Sequence, residues 1–264
     1  MEPSSLTRRD FNVLEKIKDP ESNPLTAVIV DPTLPKDPNM TDTSVYDRVS
    51  QKERDIVQTM QSLELQLAGL RPKSTPEPIN EYHQCVSTLG ELISEYPKYA
   101  SARNNRAQAL RRLYGDTMLL RGSANSNALL SDIDDLEKSE AAALALSDLG
   151  KAIELLTPKT VFASISPQAG KTLSLAHTQR AAIYHTTAKS LQAGQVANIA
   201  VERKEAGWAT LNFEEAASRD FALGGRYGNE IAKGLAVSTN PTAKLCGQMV
   251  REAMKKEYGP AYAA

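Results

Sequence analysis

Cysteine occurs twice in the 264 residues, tryptophan once and histidine three times, and aromatic residues make up only 5%. Cys85 and Cys246 stand far apart in the sequence and form neither a disulfide framework nor a paired metal-binding motif. Such usage suits a reducing compartment, so the expected location is the cytoplasm, with the nucleus also open. No stretch approaches the roughly 18 uninterrupted apolar residues of a membrane span, and no apolar segment follows the polar start MEPSSLTRRD. Charge of one sign is missing too: the formal net charge is -1, and nothing global steers the chain to nucleic acid or an anionic membrane.

The motifs of catalysis are also missing. His83, His177 and His185 have no Glu or Cys neighbours that complete a zinc site. The acids of SDIDDLEKSE alternate as in a calcium loop, yet Glu137 occupies the place where the sharp turn needs glycine. Neither a phosphate-cradling glycine loop nor a nucleophile elbow is present. The expectation is a chain with no cofactor, no metal site and no catalytic residue.

What is plentiful is alanine and leucine in helical register, so the chain reads as all-α. Residues 1–44 form a proline-rich N-terminal arm. Phe11 to Lys18 can make two helical turns, after which five prolines between Asp19 and Pro38 impose an extended path with a short strand at Ala27 to Val30. From Val45 to Leu70 the apolar spacing of Val49, Ile56, Met60, Leu63 and Leu67 predicts a helix. A second helix runs from Ile79 to Glu95 and carries Tyr82, Val86, Leu89 and Ile93, with Pro97 closing the pair.

The segment SARNNRAQALRRLYGD at 101–116 opens a second hairpin, with Gly115 as its stop. Its partner, ALALSDLGKAIELLTP, comes only after a segment at about 117–142 that reads as an inserted surface loop with a helical part. A third copy lies beside the second. Asn105, Arg106 and Ala107 align with Gln179, Arg180 and Ala181, and Ala145, Asp148, Leu149 and Ala152 align with Ala217, Asp220, Phe221 and Gly224 at identical offsets. A second insertion, about 192–207, separates the helices of this copy. Finally Asn240 and Pro241 start a helix whose Leu245, Cys246, Met249, Val250, Ala253 and Met254 share one side. The domain is therefore read as 45–258, with a capping helix at 240–258 that covers the last repeat and buries Cys246.

The small residues, the Gly-Asp turn and the closing prolines resemble tetratricopeptide repeats, helical hairpins of about 34 residues that stack into a solenoid. The words NNRAQA at 104–109, DLGKAI at 148–153, RDFALGG at 219–225 and NPTAKLCGQMVREAM at 240–254 are similar, in this order, to the tetratricopeptide-repeat protein 36 family. The resemblance implies a solenoid of about three repeats and a non-catalytic scaffold or adaptor that binds a protein or peptide client in the groove lined by the first helix of each hairpin.

That groove supplies the candidate partner-binding residues: Asn104, Asn105, Gln108, Arg111, Arg112, Thr178 and Gln179. An amide both donates to and accepts from a passing peptide backbone, although the same amide can bond a neighbouring helix instead. A chaperone stays open as the client. The carboxylate clamp by which some of these domains hold chaperone tails is incomplete, because Glu64, Ala68, Leu175 and Gln179 stand where its other residues would fall and only Asn105 matches. Two other readings stay open: a metal-dependent or other small enzyme on a helical scaffold, and an anionic-ligand or nucleic-acid binder using the basic helix 101–114. Interleaved stacking aromatics are missing there, so nucleic acid is not expected. No membrane partner is expected either, and the oligomeric state is not read.

Overall fold

The computed structural model describes residues 28–72, 77–122, 128–131, 133–160 and 163–258. Among them are eight α-helices: α1 (Thr43–Leu67), α2 (Pro78–Glu95), α3 (Ala100–Tyr114), α4 (Asp135–Leu156), α5 (Pro167–Gln192), α6 (Thr210–Arg226), α7 (Glu230–Thr239) and α8 (Pro241–Tyr258). The only β pairing among the described residues is two isolated bridges, so the protein is all-α. No described helix is long and apolar enough to cross a membrane.

Local chemistry sets the helix ends. Asp42, Asp134 and Ser166 accept backbone N–H groups at the starts of α1, α4 and α5, and proline opens α2, α5 and α8, where its missing N–H has no helical use. Gly115 ends α3 with a φ of 76°, a conformation that a side chain would resist.

Each helix packs on the next along the chain, and α3 also touches α1 and α5. Most of the expected apolar stripe goes inside: Val49, Met60 and Leu63 on α1, Tyr82, Leu89 and Ile93 on α2, and Ala102, Ala109 and Leu113 on α3 are buried, while Ile56 and Val86 are half-buried and Leu67 is exposed. Short side chains mark the closest approaches, with Ala107, Ala145, Ala152, Ala181 and Ala217 fully enclosed. At the α6–α7 crossing even alanine is too large. A Cβ on Gly225 would lie 2.7 Å from the Lys233 Cα, and one on Gly224 would lie 2.6 Å from the Thr178 hydroxyl.

Three expectations need correction. The segment at 117–142 does not begin as a surface loop: Met118, Leu119 and Leu120 are buried, while its helical part is the first turns of α4 from Asp135. The segment at 192–207 is tied to it, with Asn198 N donating to Leu119 O at 2.7 Å and Arg121 N to Val196 O at 2.9 Å. The two insertions thus stabilise one another, a pairing invisible to helical periodicity. Second, the helix that covers α6 is α7, through Ala232 and Thr239, and this helix was not anticipated. Third, α8 meets α6 and α7 without burying its apolar side: Leu245, Met249 and Val250 are more than half exposed, and Cys246 is exposed rather than buried. Asn240 alone connects α7 to α8, too short a link for an antiparallel return onto the stack. An ion pair from Lys244 to Glu214 at 2.7 Å holds the start of α8.

The arm is structured from its described beginning. Val30 bridges Ile165 in parallel, with Asp31 N donating to Ile165 O and Ile165 N to Ile29 O, both at 2.9 Å. Asp37 is buried and accepts the N–H groups of Asn39 and of Ala100, the first residue of α3. Lys36 O accepts from Ser166, and Asn39 donates to Leu155 O at the end of α4. The arm therefore crosses the starts of α3 and α5 and the end of α4. The predicted helix at Phe11 to Lys18 lies outside the described residues.

Candidate functional site

The seven residues singled out on α3 and α5 form a continuous polar row, most of which faces other helices. The Asn104 side chain is buried and its Oδ1 accepts from Gln179 Nε2 at 2.8 Å. Gln179 Oε1 in turn accepts from Arg111 at 3.2 Å, while Arg111 also grips Asp116 with two bonds of 2.7 and 3.0 Å. Asn105 Nδ2 donates to Glu53 of α1 at 2.7 Å, and Arg112 donates to Glu64 of α1 at 2.7 Å. Thr178 donates to Ser174 O at 2.8 Å and accepts from Asn229, the residue that caps α7, at 3.2 Å. Gln108 is the exposed member. The row thus holds α1, α3, α5 and α7 together, and its carbonyl and carboxylate partners come from positions that sequence spacing did not bring near it.

The missed acceptors are acids. Burial pushes the Glu53 carboxyl above its ordinary range despite hydrogen bonds from Tyr99, Ser101 and Asn105. Burial also works on Glu64, but the bonds from Arg112 and Tyr82 outweigh it and hold that carboxyl below its ordinary range. The repeat alignment did contain the signal for two others. Arg106 forms a two-bond pair with Asp148 at 2.6 and 2.9 Å, and Arg180 forms the matching pair with Asp220 at 2.6 and 2.8 Å. Three residues before each arginine, Arg103 and His177 reach the same aspartates at 3.1 and 2.9 Å. Burial raises Asp220, but the Arg180 and His177 contacts outweigh it and keep it below the ordinary carboxylate range.

The histidines do not converge. His177 lies against Asp220 and stacks on Tyr227, His185 meets the ring of Phe221, and His83 is exposed on α2. Among the described residues no group of three or more His, Cys, Asp or Glu is placed to hold a metal ion.

An open surface does exist one turn away. A cleft of about 740 Å³ lies between the arm strand, the first half of α5 and the turn from α6 into α7. Val28, Val30, Ile165, Leu175, Tyr227 and Ile231 supply its apolar lining. Val30 and Ile231 are 55% and 76% exposed, an unusual waste of apolar surface unless something covers it. Lys171, Arg226 and Glu230 stand among these apolar groups. Asn229 connects the cleft to the polar row through Thr178, the only one of the seven residues bonded to a cleft-lining side chain among the described contacts.

No family model matches the chain, and no solved structure matches it. A curated protein does: it is 35% identical over 258 residues to the L-tyrosine degradation gene cluster protein hmgX of Aspergillus fumigatus, covering 96% of this chain and 93% of that one. The chain belongs to the hmgX family. What lies outside the hmgX match is shorter than α8, so the likeness reaches the arm and the C-terminal helices as well as the paired helices between them. The arm strand and the α6–α7 turn that wall the cleft are thus part of the stretch compared with hmgX.

Proposed function

We propose that this protein is a non-catalytic adaptor of the tetratricopeptide type, which binds a protein or peptide client belonging to L-tyrosine degradation. Helices α1–α6 are read as three stacked hairpins, with α7 as the first helix of an incomplete fourth. The matched Arg106–Asp148 and Arg180–Asp220 pairs support the repeat reading, since the same two positions of two hairpins carry the same bidentate contact. In place of the polar row, which is engaged between helices, the cleft beside Ile231 and Val30 receives the client.

The observation that carries this reading is the open, mainly apolar cleft on a rigid helical frame; a groove of that kind suits a side chain or short segment of another protein. The process comes from the name of the hmgX relative, which places that protein in an L-tyrosine degradation gene cluster. No catalytic constellation is assigned.

The test is direct binding of the purified full chain to each enzyme of L-tyrosine degradation, measured by co-purification and calorimetry. One of them is expected to bind, and Ile231→Asp is expected to weaken binding at least about tenfold, the cost of about 1.4 kcal/mol for placing a charge against the buried partner surface. Circular dichroism unchanged by that exposed substitution rules out misfolding. Substrate turnover by the chain itself, or no binding to any of these enzymes, overturns the reading.

A further inference from the structure

The cleft has a natural occupant within the same chain. Val28, the first described residue, lines the cleft, so the preceding polypeptide joins the described chain at the cleft wall. That polypeptide carries one apolar cluster at helical spacing, Phe11, Leu14 and Ile17, within FNVLEKIK. The ten residues from Lys18 to Ala27 reach at most ~35 Å when extended, ample to bring the cluster back over a surface beginning at Val28. The charges are compatible: Asp10 or Glu15 can meet Lys171, and Lys16 or Lys18 can meet Glu230.

We infer that the Phe11–Ile17 cluster docks in the cleft between Val30, Leu175 and Ile231 of its own chain. The docking follows from where the described chain begins, from the exposed apolar groups at that point and from the one apolar cluster within reach. Tethering favours the intramolecular contact, because covalent linkage raises the effective concentration of the segment at the cleft, and even a weak segment then occupies the cleft for much of the time. The docking does not depend on the adaptor reading.

A photo-crosslinking experiment on the full chain decides. Benzoylphenylalanine in place of Phe11 is activated in an equal mixture of isotopically light and heavy chains, and the crosslinked peptides are identified by mass spectrometry. The expected result is crosslinks within one chain to the peptides that contain Leu175 and Ile231, lost when Leu14→Asp or Ile231→Asp is also present. Light–heavy crosslinks to the same peptides would mean that a second copy fills the cleft and would overturn the inference. Crosslinks scattered over other helices, or ones unaffected by Ile231→Asp, would overturn it too. None of these results requires a client, so failure of the docking and failure of the adaptor reading remain distinguishable.

Discussion

Glu53 sits in the middle of α1 with its carboxylate enclosed between α1 and α3, where three donors partly replace the water it has given up. Its folded-state pKa is raised from 4.5, burial being the largest cause. The sign of the consequence follows from linkage: the folded state holds this proton more tightly than the unfolded state, so the associated stability is full below the unfolded pKa and is lost as pH rises through the folded one. Glu53→Gln keeps an oxygen for Asn105 or Tyr99 and removes the buried charge. The variant should therefore gain stability relative to the parent as pH rises from about 4.5 towards neutrality. Asp37, raised in the same direction and for the same main reason, keeps part of the slope in the variant. Denaturant midpoints of both proteins at several pH values measure this, and a difference that does not change with pH refutes it. The donors of this site were legible in the sequence, since NNR in mid-helix asks for acceptors. Glu53 was not, because nothing local in α1 shows that one of its polar positions turns towards a helix 52 residues away.

At Gly225, helix α6 meets the backbone of α7 with no room for a side chain. Gly225→Ala places a methyl 2.7 to 2.9 Å from the backbone of Lys233, which cannot rotate aside, so α7 must shift. A loss of about 1–3 kcal/mol is expected, the usual cost of an overfilled packed site. Gly150, inside α4, offers the control: nothing lies within 4 Å of its missing Cβ, and Gly150→Ala should raise stability by up to about 1 kcal/mol through helix propensity. Opposite shifts in thermal midpoint support this reading, whereas two shifts of the same sign contradict it. The helices up to α6 were readable because their apolar stripes and repeated offsets agree. The end of the chain was misread for a physical reason. An apolar stripe such as Leu245, Met249 and Val250 says that a helix has a greasy side, while the surface it meets is set by the link before it, here the single residue Asn240. Nor did periodicity reveal α7, a ten-residue helix that buries little beyond Ala232 and Thr239.

Taken together, the stacked helices, the paired insertions and the arm make a molecule with more long-range closure than a simple helical stack. In a pure repeat array each unit touches only its neighbours, and stability is close to a sum of local terms. Here the arm enters before α1 yet contacts the start of α3, the end of α4 and the start of α5, so it binds the first part of the chain to the third hairpin. Asp37 is the centre of that attachment. Asp37→Ala leaves the N–H groups of Asn39 and Ala100 without their acceptor, and a loss of about 1–3 kcal/mol is expected; Asp37→Asn retains an acceptor oxygen and should lose less. The two variants also test cooperativity. Trp208, the single tryptophan, packs against Tyr184 and Phe213 and reports on the third hairpin, whereas circular dichroism reports on all the helices. With the arm attached the two signals should unfold at one denaturant concentration, because the closure joins the hairpins into one unit. In Asp37→Ala they should separate, the third hairpin no longer being tied through the arm to the start of α3, and in Asp37→Asn they should stay closer together. Coincident transitions in Asp37→Ala, with a midpoint equal to that of the parent, would show that the arm lies on the helices without joining them.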